Sequence, residues 1–331
     1  MHVYRGLPND MEKLPSAIAI GNFDGVHTGH QALIESVVQA AHDRALLPSV
    51  VTFEPHPREV LGGKPLPRIS TLADKAEMML KLGIERIYVL PFSKKMASLT
   101  AAQFVEQVLC GGLNARWVTV GRDFRFGSDR AGDVNSLADF GKTHGFETFI
   151  QPLLFHSGDK VSSSRIREAL AQGDLYEVHL MLGRRYSITG RVIHGAALGR
   201  TIGFPTLNIA PIPPGSRAEP AAKGVYAVLV EGLGPGICRG VASMGVKPTV
   251  TDSARWLLET HVFDWKGDAY GKYVKVTLIE KLRGEQKFSS LEALRAQIND
   301  DALRARRRLG DAALLVPFPS EQSTISCTTG Q

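Results

Sequence analysis

The chain has 331 residues, 44% apolar and 22% charged, with 39 Lys and Arg against 33 Asp and Glu. That length predicts two domains, each with a core of its own, and the ordinary composition excludes collagen-like, coiled-coil and wholly disordered classes. The net charge of +6 suits an anionic partner without choosing one, while Cys110, Cys238 and Cys327, far apart and with no C-x-x-C, exclude a disulfide framework and a cysteine zinc site. No run reaches the roughly 18 apolar residues of a membrane span, and the N-terminal residues lack a signal-peptide core, so the expected location is cytoplasmic with no membrane partner.

In the first half, short apolar runs at Ala17 to Ile20, Ser49 to Phe53, Arg86 to Leu90, Trp117 to Val120 and Thr148 to Leu154 predict strands. Helical spacing fills the intervals at His30 to Ala45, Leu72 to Leu82, Ala101 to Leu109 and Val134 to His144. Strand and helix in alternation predict a parallel sheet with its ligand crevice at the carboxyl ends of the strands.

The stretch after the first of those strands is Gly21-Asn22-Phe23-Asp24-Gly25-Val26-His27-Thr28-Gly29-His30. Its glycines allow backbone to approach a ligand, and the N–H groups of the helix that follows favour a phosphate. His27 and His30, three apart, can share a face. On spacing alone they are phosphate partners, a half-formed metal site or exposed side chains.

Three later stretches fall at loop positions: Phe53-Glu54-Pro55-His56-Pro57, Gly121-Arg122-Asp123-Phe124-Arg125-Phe126-Gly127, and Val161-Ser162-Ser163-Ser164-Arg165-Ile166-Arg167 at a helix start. Serine hydroxyls and N–H groups at a helix start, with the guanidinium of Arg167, suit a polyphosphate. Gly141-Lys142-Thr143 imitates the end of a P-loop, but Ser136 stands where that motif needs glycine and the tripeptide ends a helical pattern, so it is expected to face solvent.

Near residue 183 the pattern changes to short β-like runs: Tyr186 to Ile193, Thr206 to Ile209, Gly224 to Val230, Arg239 to Met244, Trp256 to Val262 and Tyr273 to Ile279. They predict an antiparallel barrel, followed by a long terminal helix over Leu291 to Leu309. The expected domains are therefore 1–182 and 183–310, with a polar, disordered tail over 311–331. Thr206 and Asn208, two apart, leave one face of a strand with a hydroxyl and a carbonyl oxygen, hard ligands suited to Mg²⁺ beside nucleotide phosphates. Arg304-Ala305-Arg306-Arg307-Arg308, without interleaved aromatics, is expected to be a solvated helix face and not a nucleic-acid site.

These motifs, in this order, resemble the bacterial FAD synthetase family, bifunctional riboflavin kinases and FMN adenylyltransferases. Gly21 to His30 is similar to its G-x-F-D-G-V-H-x-G-H form of the nucleotidyltransferase H-x-G-H signature, and Ser162 to Arg167 to its S-S-T-x-x-R, with Ser164 for Thr. Gly190 to Asn208 resembles the kinase signature G-x-x-x-G-R-x-x-G-F-P-T-A-N with Leu207 for Ala, and Ala242 to Thr249 resembles A-N-I-G-x-R-P-T with Ser243 for Asn and Lys247 for Arg. Leu258-Glu259-Thr260-His261 resembles the strand of the catalytic glutamate, and Leu282 to Phe288 the family's L-R-x-E-x-K-F.

The resemblance implies a Rossmann-like nucleotidyltransferase domain followed by a riboflavin kinase barrel. It implies riboflavin, FMN, FAD and ATP as substrates or products, Mg²⁺ as cofactor, and no nucleic-acid partner. His27, His30 and Glu259 would be catalytic. Gly21, Asn22, Phe23, Asp24, Gly25, Gly29, Asp123, Ser162, Ser163, Ser164 and Arg167 would bind one nucleotide, and Gly195, Gly199, Arg200, Gly203, Pro205, Thr206 and Asn208 the other. Thr206 and Asn208 would hold the metal, and Lys247 and Arg283 would contact flavin.

Overall fold

The apolar runs of the first half assemble into a six-stranded parallel sheet in a computed structural model that describes residues 2–63, 65–195, 199, 203–213, 216–247 and 255–310. Its strands are β1 (His2–Arg5), β2 (Ser16–Ile20), β3 (Leu47–Glu54), β4 (Arg86–Pro91), β5 (Ala115–Gly121) and β6 (Glu147–Gln151), in the order β1-β4-β3-β2-β5-β6. All five residues of β2 are buried, as befits a central strand covered on both faces. β3 and β4 lie to one side of β2 and β5 to the other, so the strand order reverses between β2 and β5, where an open α/β sheet forms its ligand crevice.

Helix α1 (Thr28–Arg44) follows β2, burying Leu33, Ile34, Val37, Ala40 and Ala41 at helical spacing. After it come the short α2 (Pro57–Val60), then α3 (Leu72–Lys81), the short α4 (Lys94–Ala97), and α5 (Ala101–Phe104), which widens into a π-helical turn over Val105–Cys110. The Thr100–Gln103 capping box starts α5, and the wider turn carries the buried Val105, Val108 and Leu109. Helix α6 (Val134–His144) precedes β6, which ends at Gln151 because Pro152 offers no N–H to the ladder. Edge strand β1, mostly exposed and without an apolar run, gave no strand pattern; nor did the two-residue strands β7 (Phe155–His156) and β8 (Asp159–Lys160).

The Gly141 expectation is corrected. Lys142 and Thr143 are exposed, but Gly141 is buried, and a Cβ there would lie 2.5 Å from the Phe146 carbonyl oxygen. This glycine lets α6 pack closely on the start of β6.

Helices α7 (Ser163–Gln172) and α8 (Leu175–Leu182) lead to six antiparallel strands: β9 (Ser187–Arg191), β10 (Leu207–Ile209), β11 (Gly224–Glu231), β12 (Cys238–Lys247), β13 (Arg255–Val262) and β14 (Tyr273–Arg283). Their order is β10-β13-β12-β11-β14-β9, and the Ile193 N–H donates to Asn208 O at 2.9 Å between the two edges, so the barrel is nearly closed. Tyr226, Val228, Met244, Leu258 and Thr260 alternate with residues of the other face. That other face, with Val225, Ala227, Leu229, Val241 and Leu282, packs against Ala302, Ala305 and Leu309 of helix α9 (Leu291–Gly310).

The chain divides into two compact units: residues up to Leu66 with Lys75–Ser162, and Pro67–Asp74 with Ser163 onward. No helix among the described residues is long and apolar enough to cross a membrane. The tail expected to be disordered and Arg200 lie outside the described residues. Gly141→Ala is expected to destabilise the first unit by about 1–3 kcal/mol through overpacking. Hydrogen exchange would show it as faster exchange in β5 and β6 with β11 to β14 unchanged.

Candidate functional site

The Gly21 to His30 stretch lies where the sheet order reverses, after β2, and the Gly121 to Gly127 loop follows the neighbouring β5. His27 is buried and is the N-cap of α1: its Nδ1 accepts the His30 N–H at 3.2 Å. Acceptance at Nδ1 leaves the proton of a neutral imidazole on Nε2, making that atom the ring's donor. The His27 and His30 rings stack with centroids 3.7 Å apart at 15°, and Phe23 packs against His30 at 5.1 Å. The i, i+3 spacing thus brings the two imidazoles together beside a helix N-terminus, an arrangement suited to oxyanions.

The turn has an unusual backbone: Phe23, Gly25 and Val26 have φ of +50°, +87° and +42°. Gly25 takes this freely, whereas a β-branched Val26 there is strained. Asp24 is buried in the same turn, and the Asn22 side-chain Oδ1 is a buried oxygen with no hydrogen-bond partner among the described residues. Asn22 O, by contrast, accepts from Lys75 Nζ at 2.9 Å and Thr52 Oγ1 at 3.2 Å.

Asp123 is paired with Lys160 Nζ at 2.7 Å. Burial pushes its carboxyl up, but the Lys160 ammonium outweighs that and leaves it below the usual aspartate value. Ser162 closes the first unit. Ser163, Ser164 and Arg167 belong to the second, on the first turns of α7, where Arg167 Nε donates to Pro67 O at 2.7 Å.

In the second unit the barrel register assembles the other set. Glu259 on β13 stands opposite Asn208 on β10 and Ser243 on β12, so the three side chains share one face in a row across three strands. Thr206 immediately precedes β10 and is half-buried. Asn208 is buried, and its Oδ1 has no hydrogen-bond partner among the described residues. Gly195 lies against it: a Cβ there would come within 2.5 Å of Asn208 Nδ2. Gly199 O accepts the Phe204 N–H at 2.7 Å, and Gly203 has φ +87°. Pro205 O is held by His261 Nδ1 at 2.9 Å, in a ring group with Phe204 and Phe263. No cluster of three or more His, Cys, Asp or Glu suited to a metal occurs among the described residues, so a cation here would rest on the neutral oxygens of Thr206 and Asn208.

Arg283 lies farther along the same register, since Val225 pairs with both Ser243 and Arg283. Its guanidinium holds Asp301 of α9 with both Nε and Nη2, at 2.8 to 3.1 Å, and lies over the Phe288 ring. The arginines of the run are exposed, as expected of a solvated helix face, and three of them have partners: Arg304 donates to Leu282 O, Arg306 pairs with Asp264 over Phe263, and Arg308 pairs with Glu280. The side chain of Lys247 is outside the described residues.

Sequence reasoning missed Lys75, Asp301 and His261. The first two carried a usable sign, a charged residue on the apolar stripe of a helix: Lys75 with Met79, and Asp301 with Ala302, Ala305 and Leu309.

Residues 9–165 match the family described as FAD synthetase, and residues 182–309 the family described as riboflavin kinase. A bifunctional riboflavin kinase/FMN adenylyltransferase of Escherichia coli (strain K12) is 39% identical over 314 residues, 94% of this chain and 98% of that protein. The protein of the same description from Haemophilus influenzae is 40% identical over 308 residues, covering 92% and 98%. A crystal structure titled macrolide-efflux protein, from Streptococcus pneumoniae, shares the architecture at a TM-score of 0.69 and 31% identity, covering 91% of this chain and 96% of that one.

The Arg283–Asp301 pair joins a half-buried guanidinium to a carboxylate only 3% exposed. Asp301→Ala is expected to cost the second unit about 3–5 kcal/mol, since it leaves a partly buried cation without its carboxylate. The check is a lower urea midpoint for exchange in β14 and α9, with β2 and β5 unaffected.

Proposed function

Because the chain belongs to the bifunctional riboflavin kinase/FMN adenylyltransferase family, converting riboflavin and ATP to FMN and then FMN and ATP to FAD, we propose which residues carry each reaction. The kinase step is assigned to the barrel and adenylyl transfer to the parallel-sheet half. The observation that carries the division is that each half holds its own polar site on its own sheet, His27 and His30 after β2 and the Asn208–Glu259 row on β10 and β13.

In the kinase reaction Glu259 accepts the proton of the terminal ribityl hydroxyl as that oxygen attacks the γ-phosphorus of ATP, and ADP leaves. The buried Asn208 Oδ1, without a hydrogen-bond partner among the described residues, and the neighbouring Thr206 hydroxyl fit Mg²⁺, which when bound neutralises charge on the nucleotide phosphates. Gly195, lacking a side chain, leaves room beside Asn208, Gly199 does the same beside the Phe204 carbonyl, and His261 holds the Pro205 carbonyl beside Thr206. Gly203, Arg200 and Pro205 complete the nucleotide set, with Lys247 and Arg283 assigned to flavin. Arg283 would serve from a guanidinium already fixed by Asp301.

In adenylyl transfer an FMN phosphate oxygen attacks the α-phosphorus of the second ATP and pyrophosphate leaves. FMN supplies the nucleophile, so no covalent enzyme intermediate is required. His27 donates from Nε2 to the charge that develops on the phosphate oxygens, and His30 supports it through the stacked ring. Gly21, Asn22, Phe23, Asp24, Gly25 and Gly29 form the turn against the nucleotide, with Asp123 in the adjoining loop. Ser162, Ser163, Ser164 and Arg167 are assigned to the triphosphate on their chemistry. A cytoplasmic setting, where ATP is supplied, suits both steps, and nucleic acid is given no role.

Glu259→Gln is expected to lower FMN formation from riboflavin by about 10²- to 10⁴-fold. His27→Ala is expected to lower FAD formation from FMN by about 10²-fold or more. Each variant should keep the other reaction; chromatography of the flavins checks this, and loss of both activities in a folded variant contradicts the division. Asn208→Ala is expected to raise the Mg²⁺ concentration for half-maximal FMN formation by about tenfold or more, read from a Mg²⁺ titration.

A further inference from the structure

Lys75 has no part in the chemistry above, yet it is a lysine 3% exposed whose Nζ donates to one main-chain oxygen of the turn, Asn22 O. Burying such a group is costly unless its contacts repay the loss of water. The same oxygen accepts from the buried Thr52 hydroxyl. At the other end of the turn Val26 O accepts Gln31 Nε2 at 2.9 Å, and the Val26 N–H donates to Phe23 O at 3.2 Å. Between these anchors lie Phe23 and Val26, non-glycine residues in the left-handed region, each fully buried. Such a conformation is costly and persists only where the surroundings over-determine it.

We propose that Lys75 is a positioning residue for adenylyl transfer: by holding the Asn22 carbonyl it fixes the left-handed turn that delivers His27 to the start of α1. A peptide unit is planar and trans, so fixing the carbonyl also fixes the Phe23 N–H on its opposite side. From there the chain has only four residues before His27, whose Nδ1 must meet the His30 N–H for its tautomer to be set. If the carbonyl rotates, the strain at Phe23 and Val26 is released, and the His27 donor leaves the position the reaction needs. A displacement of about 1 Å costs on the order of 10²-fold in rate. The proposal rests on the assignment of FMN adenylylation to this turn.

The test compares Lys75→Met, Lys75→Gln and His27→Ala for kcat and KM of FAD formation from FMN and ATP, with FMN formation from riboflavin as the internal control. Lys75→Met is expected to lower kcat for FAD formation by about 10- to 100-fold. Its KM for ATP should change by less than about threefold, and the kinase reaction should be intact. Lys75→Gln, which keeps a neutral donor, should recover part of the lost kcat; if Lys75→Met does not fold, its kcat decides between wild-type rate and loss. A kcat within about twofold of wild type in a folded variant, a rise in KM alone, or an equal fall in both reactions overturns the positioning role. His27→Ala separates the premises: should it keep full FAD formation, the site assignment fails, whereas its loss beside an unaffected Lys75→Met refutes the role of Lys75 alone.

Discussion

The first unit depends on a turn whose backbone does not relax by itself. Between β2 and α1 the chain reverses through Phe23, Gly25 and Val26 at positive φ, and the only side chain spared a steric cost there is the glycine's. The turn is held because its two ends are tied: Asn22 O to Lys75 and Thr52, Val26 O to Gln31. The result is a histidine serving as a helix cap. Sequences normally give that position to Ser, Thr, Asp or Asn, so an imidazole there gives up capping strength for a second nitrogen with chemistry of its own. His56 caps α2 in the same manner, its Nδ1 accepting the Arg58 N–H at 3.2 Å.

The barrel solves a related problem with register in place of strain. Asn208, Glu259 and Ser243 come from three strands far apart in sequence, and the antiparallel ladder alone puts them in one row. Slipping β13 by one residue would turn Glu259 inward and Leu258 outward, which burial of Leu258 and Thr260 opposes. The alignment of this row and the packing of the core are therefore enforced by the same alternation. Helix α9 covers the continuation of that face, and its Asp301 fixes Arg283.

Much of this was legible in the sequence. The parallel sheet followed from apolar runs alternating with helical spacing, and the nearly closed barrel from short strands set off by turns, because both patterns reflect which face is buried. The Gly21 to His30 and Gly195 to Asn208 stretches were legible because chemistry packed into consecutive residues survives as a motif. Long-range partners were not. Nothing near Asn22 announces Lys75, 53 positions on, and nothing near Arg283 announces Asp301. Gly141 was misjudged for the same reason: its neighbours Lys142 and Thr143 are solvent-facing, but the atom that forbids a side chain there is the Phe146 carbonyl. The edge strand β1 was missed because its pairing with β4 is a main-chain matter that mostly exposed side chains do not record.

The central claim is that the two reactions are carried by separate sets of residues, one in each half, with FMN the product of the first and the substrate of the second. It is tested most directly by mixing His27→Ala protein with Glu259→Gln protein and following flavins after addition of riboflavin, ATP and Mg²⁺. Separately, the first should stop at FMN and the second should leave riboflavin unconverted; together they should form FAD after a lag in which FMN rises. A mixture of folded proteins that makes no FAD, or a single variant that makes it unaided at the wild-type rate, would contradict the account.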